Sequence, residues 1–301
     1  MQMSLPARHR SVSDPRMARR AWETGRHILA VPALGWWLLL FVAPLALLLV
    51  YSFGQLDIIT FKLSFGWTLE NYAALNNSLY LNTILRSLVL AVSATLGCLA
   101  LGFPVAFFMS RQEPRMQRLL ILAILLPFWA SFVIRTYAWI NVLDDNGPIA
   151  GALRAVGLLH GDLGLVYTSK AIAIGMIATY LPLMILPLFV ALERIDQSLL
   201  AAASDLGASS RRTFRRVLVP LAKPGIYAGC LLVGVPATGE YVIPAILGGG
   251  KTLMLGNIIG DQFLTTGNYP FGAALATSFM LVLTIFLVLV RRRQTAAEVV
   301  L

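Results

Sequence analysis

Residues 199–226 read LLAAASDLGASSRRTFRRVLVPLAKPGI, and this stretch decides the reading of the whole chain. Asp196, just upstream, is suited to cap a helix start, and Leu199, Leu200, Ala203 and Leu206 recur at helical spacing. Gly207 then stands where a left-handed residue ends a helix. A second short helix is predicted from Ser210, exposing Arg211, Arg212, Arg215 and Arg216, packing Phe214, Val217 and Leu218, and stopping before Pro220, with Pro224 close behind. On periodicity alone, such an element either lies on anionic lipid or docks into a partner.

The surroundings of this polar hairpin are of another kind. Of the 301 residues 58% are apolar and only 13% charged, and the mean hydropathy of +0.76 is far above that of a soluble domain. A bilayer core about 30 Å thick needs roughly 20 apolar residues of helix. Six segments qualify: 28–51, 87–110, 119–143, 171–192, 224–247 and 262–290, with Arg135 the only charge inside the third and Glu240 the only one inside the fifth. Barrel strands would alternate in segments of about ten residues, so these runs predict an all-α membrane protein. Of the 24 basic residues, 18 fall in the N-terminal tail, the second loop, the fourth loop and the C-terminal end. Lys and Arg concentrate in short cytoplasmic loops, so both termini and the hairpin are expected to be cytoplasmic. The net charge of +10 is thereby an orientation signal and gives no reason to invoke nucleic acid.

The expected organisation is a basic tail (1–27), a six-helix membrane domain (28–290) with the polar loop at 194–223, and a short tail (291–301), with outer loops near 52–80, 144–170 and 248–268. The first apolar run is too long for a signal-peptide core and lacks a clear cleavage site, so it is expected to remain as a helix. The loop at 52–80 carries Trp67, Tyr72 and Tyr80 and is expected either to include a short helix facing an external protein or to run as an unstructured connector. Cys98 and Cys230 lie inside spans and read as structural thiols; His9, His27 and His160 have no metal spacing, and no nucleophile arrangement argues for catalysis. Gly248–Thr252 (GGGKT) imitates a phosphate loop, but position 245 is Ala245 where the pattern needs glycine, and a membrane helix precedes it where a strand is needed. ATP hydrolysis by this chain alone is therefore not expected.

Ala201, Ala202, Ala203, Ser204, Asp205, Leu206 and Gly207, followed by Val217, Val219 and Pro220, resemble the cytoplasmic EAA loop of binding-protein-dependent ABC importer permeases, E-A-A-x-x-x-G with a spaced I-x-L-P. The leading glutamate is missing, which withdraws that one charged contact. The resemblance implies a type I importer permease (MetI-like) fold of six helices in a bacterial inner membrane. It also implies that the loop, with Arg211 and Arg212, couples to one of two ATP-binding subunits, which hold the ATP and Mg while this chain holds no cofactor. A second permease chain and a periplasmic binding protein complete such an importer. Residues 126–147 (LPFWASFVIRTYAWINVLDDNG), 236–249 (PATGEYVIPAILGG) and 256–274 (GNIIGDQFLTTGNYPFGAA) are similar to the spermidine/putrescine branch; ferric-ion, sulfate and opine permeases are related alternatives.

A polyamine path calls for carboxylates, aromatic faces and carbonyls. Glu240 is 17 residues above Lys223 and Arg135 is 17 above Arg118, so each stands about 25 Å up its helix from the cytoplasmic end. Shared depth predicts an ion pair or a common polar cluster, with Gly239 and Pro236 loosening the fifth helix. Glu240 is then a cation ligand or a structural strut, and Arg135 orients acids or helices. Trp129, Tyr137, Trp139 and Tyr241 offer cation–π contact or belong to the interfacial belt. Asp144 and Asp145 attract a cation at the outer mouth or simply form a turn. A stand-alone secondary transporter is the rival class; it would need more spans and has no use for a docking hairpin.

Overall fold

The computed structural model describes residues 32, 34–57 and 62–298. The tail expected at 1–27 and the beginning of the first span lie outside them. The elements are α1 (Leu34–Tyr51), a two-residue-per-strand hairpin of β1 (Gln55–Leu56) and β2 (Leu63–Ser64), α2 (Glu70–Ala74), α3 (Ser78–Ser110), α4 (Pro114–Trp129), α5 (Phe132–Leu143), α6 (Pro148–Ala155), α7 (Ser169–Glu193), α8 (Gln197–Asp205), α9 (Ser210–Thr238), α10 (Val242–Leu247), α11 (Leu255–Leu264) and α12 (Tyr269–Glu298). Five helices, α1, α3, α7, α9 and α12, are long and apolar enough to cross a membrane, and the bent pair of α4 with Phe132–Ala155 makes a sixth.

Polar residues at the helix starts set where the long apolar runs become helix. Asn77 accepts from the Leu79 amide at 3.1 Å before α3, and Thr168 accepts from the Ala171 amide at 3.3 Å before α7. Inside α3, the Thr83 hydroxyl donates to the Leu79 carbonyl and the Thr95 hydroxyl to that of Ala91, so these two carry no unsatisfied polarity. The centre of the molecule is α7, packed on α3 and α9. Its Met176, Met184, Leu188 and Leu192 meet Ala94, Cys98 and Ala106 of α3 and Ala222, Val233 and Ala237 of α9 in one buried cluster. Small residues on α3 and α9 let the helices approach closely, which is how helices associate where lipid removes the hydrophobic drive. α1 instead leans on α12 and buries nothing within the chain.

Three expected spans differ from continuous helices. The sixth, expected over 262–290, begins only at Tyr269, residues 262–264 being the end of α11. The third, expected over 119–143, is broken: a tight turn at Leu126–Trp129 is followed by extended Ala130 and Ser131, and the chain bends by 95° into α5. Pro127 removes a helical donor there, and apolarity alone carries no trace of two extended residues. The fifth, expected over 224–247, ends at Thr238 and resumes as α10. At the other end of the same span, helix does not stop before Pro220. It runs from Ser210 through Pro220 and Pro224, because a wide π stretch at Phe214–Leu218 opens the turn that the Pro220 ring would otherwise strike.

Candidate functional site

The first helix and the turn of the hairpin form as the spacing predicts, whereas the second helix continues into the span. Asp196 accepts from the Ser198 amide at 2.9 Å, and this bond holds its carboxyl below the ordinary carboxylate range. α8 follows for nine residues and ends at Gly207, whose φ of +77° a side chain rarely adopts. Ser209 then starts α9. Ala201, Ala202, Ser204, Asp205, Leu206, Gly207, Arg211 and Arg212 are exposed and Ala203 is half-buried. Leu206 is 89% exposed, so an apolar side chain projects from the tip between polar neighbours. The root of the hairpin is anchored: Leu218 is buried, and the Phe214 ring meets Phe103 of α3 edge-on at 5.4 Å.

Glu240 lies at the opposite end of α9. It is 6% exposed, in the break between α9 and α10, and its carboxylate caps the new helix. Oε1 accepts from the amides of Tyr241, Val242 and Ile243 at 3.1, 2.9 and 3.3 Å. Oε2 accepts from the Tyr180 hydroxyl of α7. Four donors thus converge on an acceptor-only group, which is what keeps a carboxylate tenable among apolar helices. α11 closes over the break: Asn257 donates to the Tyr241 carbonyl at 2.8 Å, Ser87 of α3 accepts from the Leu255 amide at 2.7 Å, and Gly256 sits so close that a Cβ would lie 2.5 Å from the Gly239 carbonyl oxygen.

The pairing expected between Glu240 and Arg135 does not form. α5 packs against α10, as shared depth implies, yet the Arg135 guanidinium lies over the rings of Phe128 and Phe132, 5.0 and 6.0 Å from their centroids, and its buried Nε has no hydrogen-bond partner. The reason is that the bend at 130–131 turns Arg135 toward its own preceding segment, while the backbone amides freed by the α9–α10 break reach Glu240 first. Trp129, at the bend, is 87% exposed; Tyr137 and Tyr241 are exposed and Trp139 is half-buried. Asp144 and Asp145 form a turn, accepting from the amides of Asn146 at 2.9 Å and Gly164 at 2.8 Å. Tyr180, Asn257, Ser87 and Phe103 were not singled out by the sequence. For Tyr180 a signal existed: it stands 14 residues up its helix from Arg194, close to the depth of Glu240, and a hydroxyl at that level needs a partner.

The chain matches, over residues 27–296, the family described as binding-protein-dependent transport system inner membrane component. It is 37% identical over 264 residues to the spermidine/putrescine transport system permease protein PotB of Salmonella typhimurium (strain SL1344), covering 88% of this chain and 92% of that one. The PotB of Haemophilus influenzae (strain ATCC 51907 / DSM 11121 / KW20 / Rd) is 40% identical over 252 residues, covering 83% and 88%. The inner membrane ABC transporter permease protein YdcU of Escherichia coli (strain K12) is 33% identical over 281 residues, covering 89% of each. Among solved structures, a chain of a bacterial ABC transporter involved in the import of the acidic polysaccharide alginate superposes with a TM-score of 0.69 at 16% identity, covering 92% of this chain and 98% of that one, a likeness of fold. A second structure of a bacterial alginate ABC transporter, in complex with an alginate pentasaccharide-bound periplasmic protein, gives a TM-score of 0.67 at 14% identity, covering 91% and 94%. With its membrane-crossing helices, its exposed hairpin and a family match over nearly its whole length, the chain belongs to the inner membrane components of binding-protein-dependent transport systems.

Proposed function

We propose that this chain is one permease half of an ATP-driven importer for polyamines of the spermidine/putrescine class. It sits in a bacterial inner membrane beside a second permease chain, receives its substrate from a periplasmic binding protein and is driven by two ATP-binding subunits. The observation that carries this reading is the hairpin: an exposed helix, α8, capped at both ends, an apolar tip at Leu206, and a second, arginine-bearing arm that runs without a break into the span α9. Ala201 to Gly207, with Arg211 and Arg212, seat in a cleft of an ATP-binding subunit, which binds ATP and Mg. Closure of the two motors then shifts the spans between inward- and outward-open arrangements.

The polyamine assignment is supported by relatives of that description at 37–40% identity over most of both chains. Trp129, Tyr137 and Tyr241 have free ring area for cation–π contact with a polycation, and Asp144 adds negative charge at the outer mouth. Arg135 orients the break in the third span and Glu240 the break in the fifth.

The test is reconstitution with the partner subunits in proteoliposomes, measuring ATP hydrolysis stimulated by the binding protein loaded with spermidine, putrescine, ferric ion or an opine. Stimulation and uptake with the two polyamines are the expected result. Stimulation by ferric ion or an opine alone would overturn the substrate assignment, and a purified complex lacking any ATP-binding subunit would overturn the importer assignment.

A further inference from the structure

We infer that Tyr180 and Glu240 form a latch at the outer end of a lever whose handle is the arginine hairpin. The inference rests on the importer reading above and assigns to it two positioning residues.

The lever is α9. It is helical without interruption from Ser210 to Thr238, 29 residues or about 43 Å, so the arm of the hairpin and the residue before Gly239 are two ends of one rod. The rod crosses α7 at a close contact. A Cβ on Gly225 would stand 2.5 Å from that of Ala191, and one on Gly229 would stand 2.5 Å from the Met184 sulfur, so the backbones have no clearance to slide there. α9 packs along α7 from Ala222 to Ala237, and its closest approach, at Gly225 and Gly229, serves in this proposal as the pivot, with arms of roughly 25 Å toward the hairpin and 15 Å toward the outer end. At the inner end, the π stretch at Phe214–Leu218 and the ring contact between Phe214 and Phe103 form the joint through which hairpin movement enters the rod.

At the outer end one side chain joins three elements. Glu240 follows the last turn of α9, holds the first amides of α10 through Oε1, and is bound by Tyr180 of α7 through Oε2. Tilting α9 about its pivot on α7 changes the separation of Tyr180 from Glu240 more than that of pairs nearer the pivot. The latch therefore fixes where α10 and the exposed Tyr241 stand, and its breaking accompanies movement of the hairpin. Burial of Glu240, with each carboxylate oxygen already accepting from the protein, favours a positioning role over contact with substrate.

The variants are Tyr180→Phe, Glu240→Gln and Glu240→Ala, each in the reconstituted complex with its partner subunits. Uptake per ATP hydrolysed, ATP hydrolysis without the loaded binding protein, and KM for the loaded binding protein are the readouts. Tyr180→Phe removes only the hydroxyl; it is expected to raise unstimulated hydrolysis and lower uptake per ATP by about tenfold, the scale of one hydrogen bond to a charged group. KM is expected to change less than about twofold, because the variant does not touch the substrate. Glu240→Gln retains a carbonyl oxygen for the amides and a polar partner for Tyr180, and is expected to keep uptake per ATP near that of the unmodified complex. Glu240→Ala is expected to match or exceed the loss in Tyr180→Phe. If it fails to assemble, the other two variants decide.

Coupling unchanged by Tyr180→Phe would overturn the latch. So would a Glu240→Gln complex with normal coupling and a KM raised about tenfold or more, the signature of a lost substrate contact. Absence of polyamine stimulation in the unmodified complex counts against the substrate assignment alone, because uptake per ATP is then read with whichever solute does stimulate.

Discussion

Asp196 and Gly207 bracket α8 with two local devices, a side-chain cap and a left-handed turn, and both are testable one residue at a time. The Asp196 carboxyl is held below its ordinary range by the Ser198 amide, so its contribution is fully present above the unfolded carboxylate pKa, about 3.9, and is lost as pH falls through the lower folded value. Protection of residues 198–205 from hydrogen exchange in nanodiscs, taken relative to the intrinsic exchange rate at each pH, is expected to be unchanged between pH 7 and 5 and to fall only in more acidic buffer; Asp196→Ala is expected to show the lower protection at pH 7. Gly207 has open space around its Cα, so only its φ of +77° resists substitution. Gly207→Val is expected to cost about 1–2 kcal/mol of local stability, seen as fraying of the hairpin in the same exchange measurement. These residues were legible because caps and glycine turns act over a few neighbours. For Tyr180 only the depth was legible and the partner was not, since Glu240 is 60 positions away in the chain.

Among the elements, the two broken spans show how a polar backbone is managed at membrane depth. In the fifth, Glu240 takes up the amides that the break releases; in the third, extended Ala130 and Ser131 leave the chain to restart at α5, whose Arg135 amide donates to the Ser131 carbonyl at 3.0 Å. The π stretch at Phe214–Leu218 does the same for Pro220, which has no donor to offer. Pro220→Ala is expected to restore ordinary α-helical pairing there and stiffen the joint, so that binding-protein-stimulated ATP hydrolysis falls while subunit assembly, read by co-purification, is retained. Apolar run length marked all these spans, but it counts residues and is blind to turns of 3₁₀ or π helix within them.

At the scale of the molecule, burial is uneven. Half of the most apolar window of α7 is buried within the chain, and none of that of α1. Substitution costs should follow this order. Met184→Ala in α7, where the side chain is fully buried, is expected to cost about 2–5 kcal/mol and lower the thermal unfolding midpoint of the detergent-solubilised protein by several degrees. Leu45→Ala in exposed α1 is expected to stay within about 0.5 kcal/mol. Equal shifts for the two would mean that α7 is not the centre of the packing.

Composition and capping signals were enough to read an all-helical membrane chain and an exposed, arginine-bearing hairpin, because bilayer thickness and helix capping each act on residues close together in the chain. Equal depth also brought the third and fifth spans into relation correctly, as α5 against α10. Only the tertiary structure decided which polar groups met. Depth fixes one coordinate of a side chain, whereas a bond needs all three, and the bends at 130–131 and 239–241 rotated Arg135 onto its own aromatic rings and Glu240 onto Tyr180.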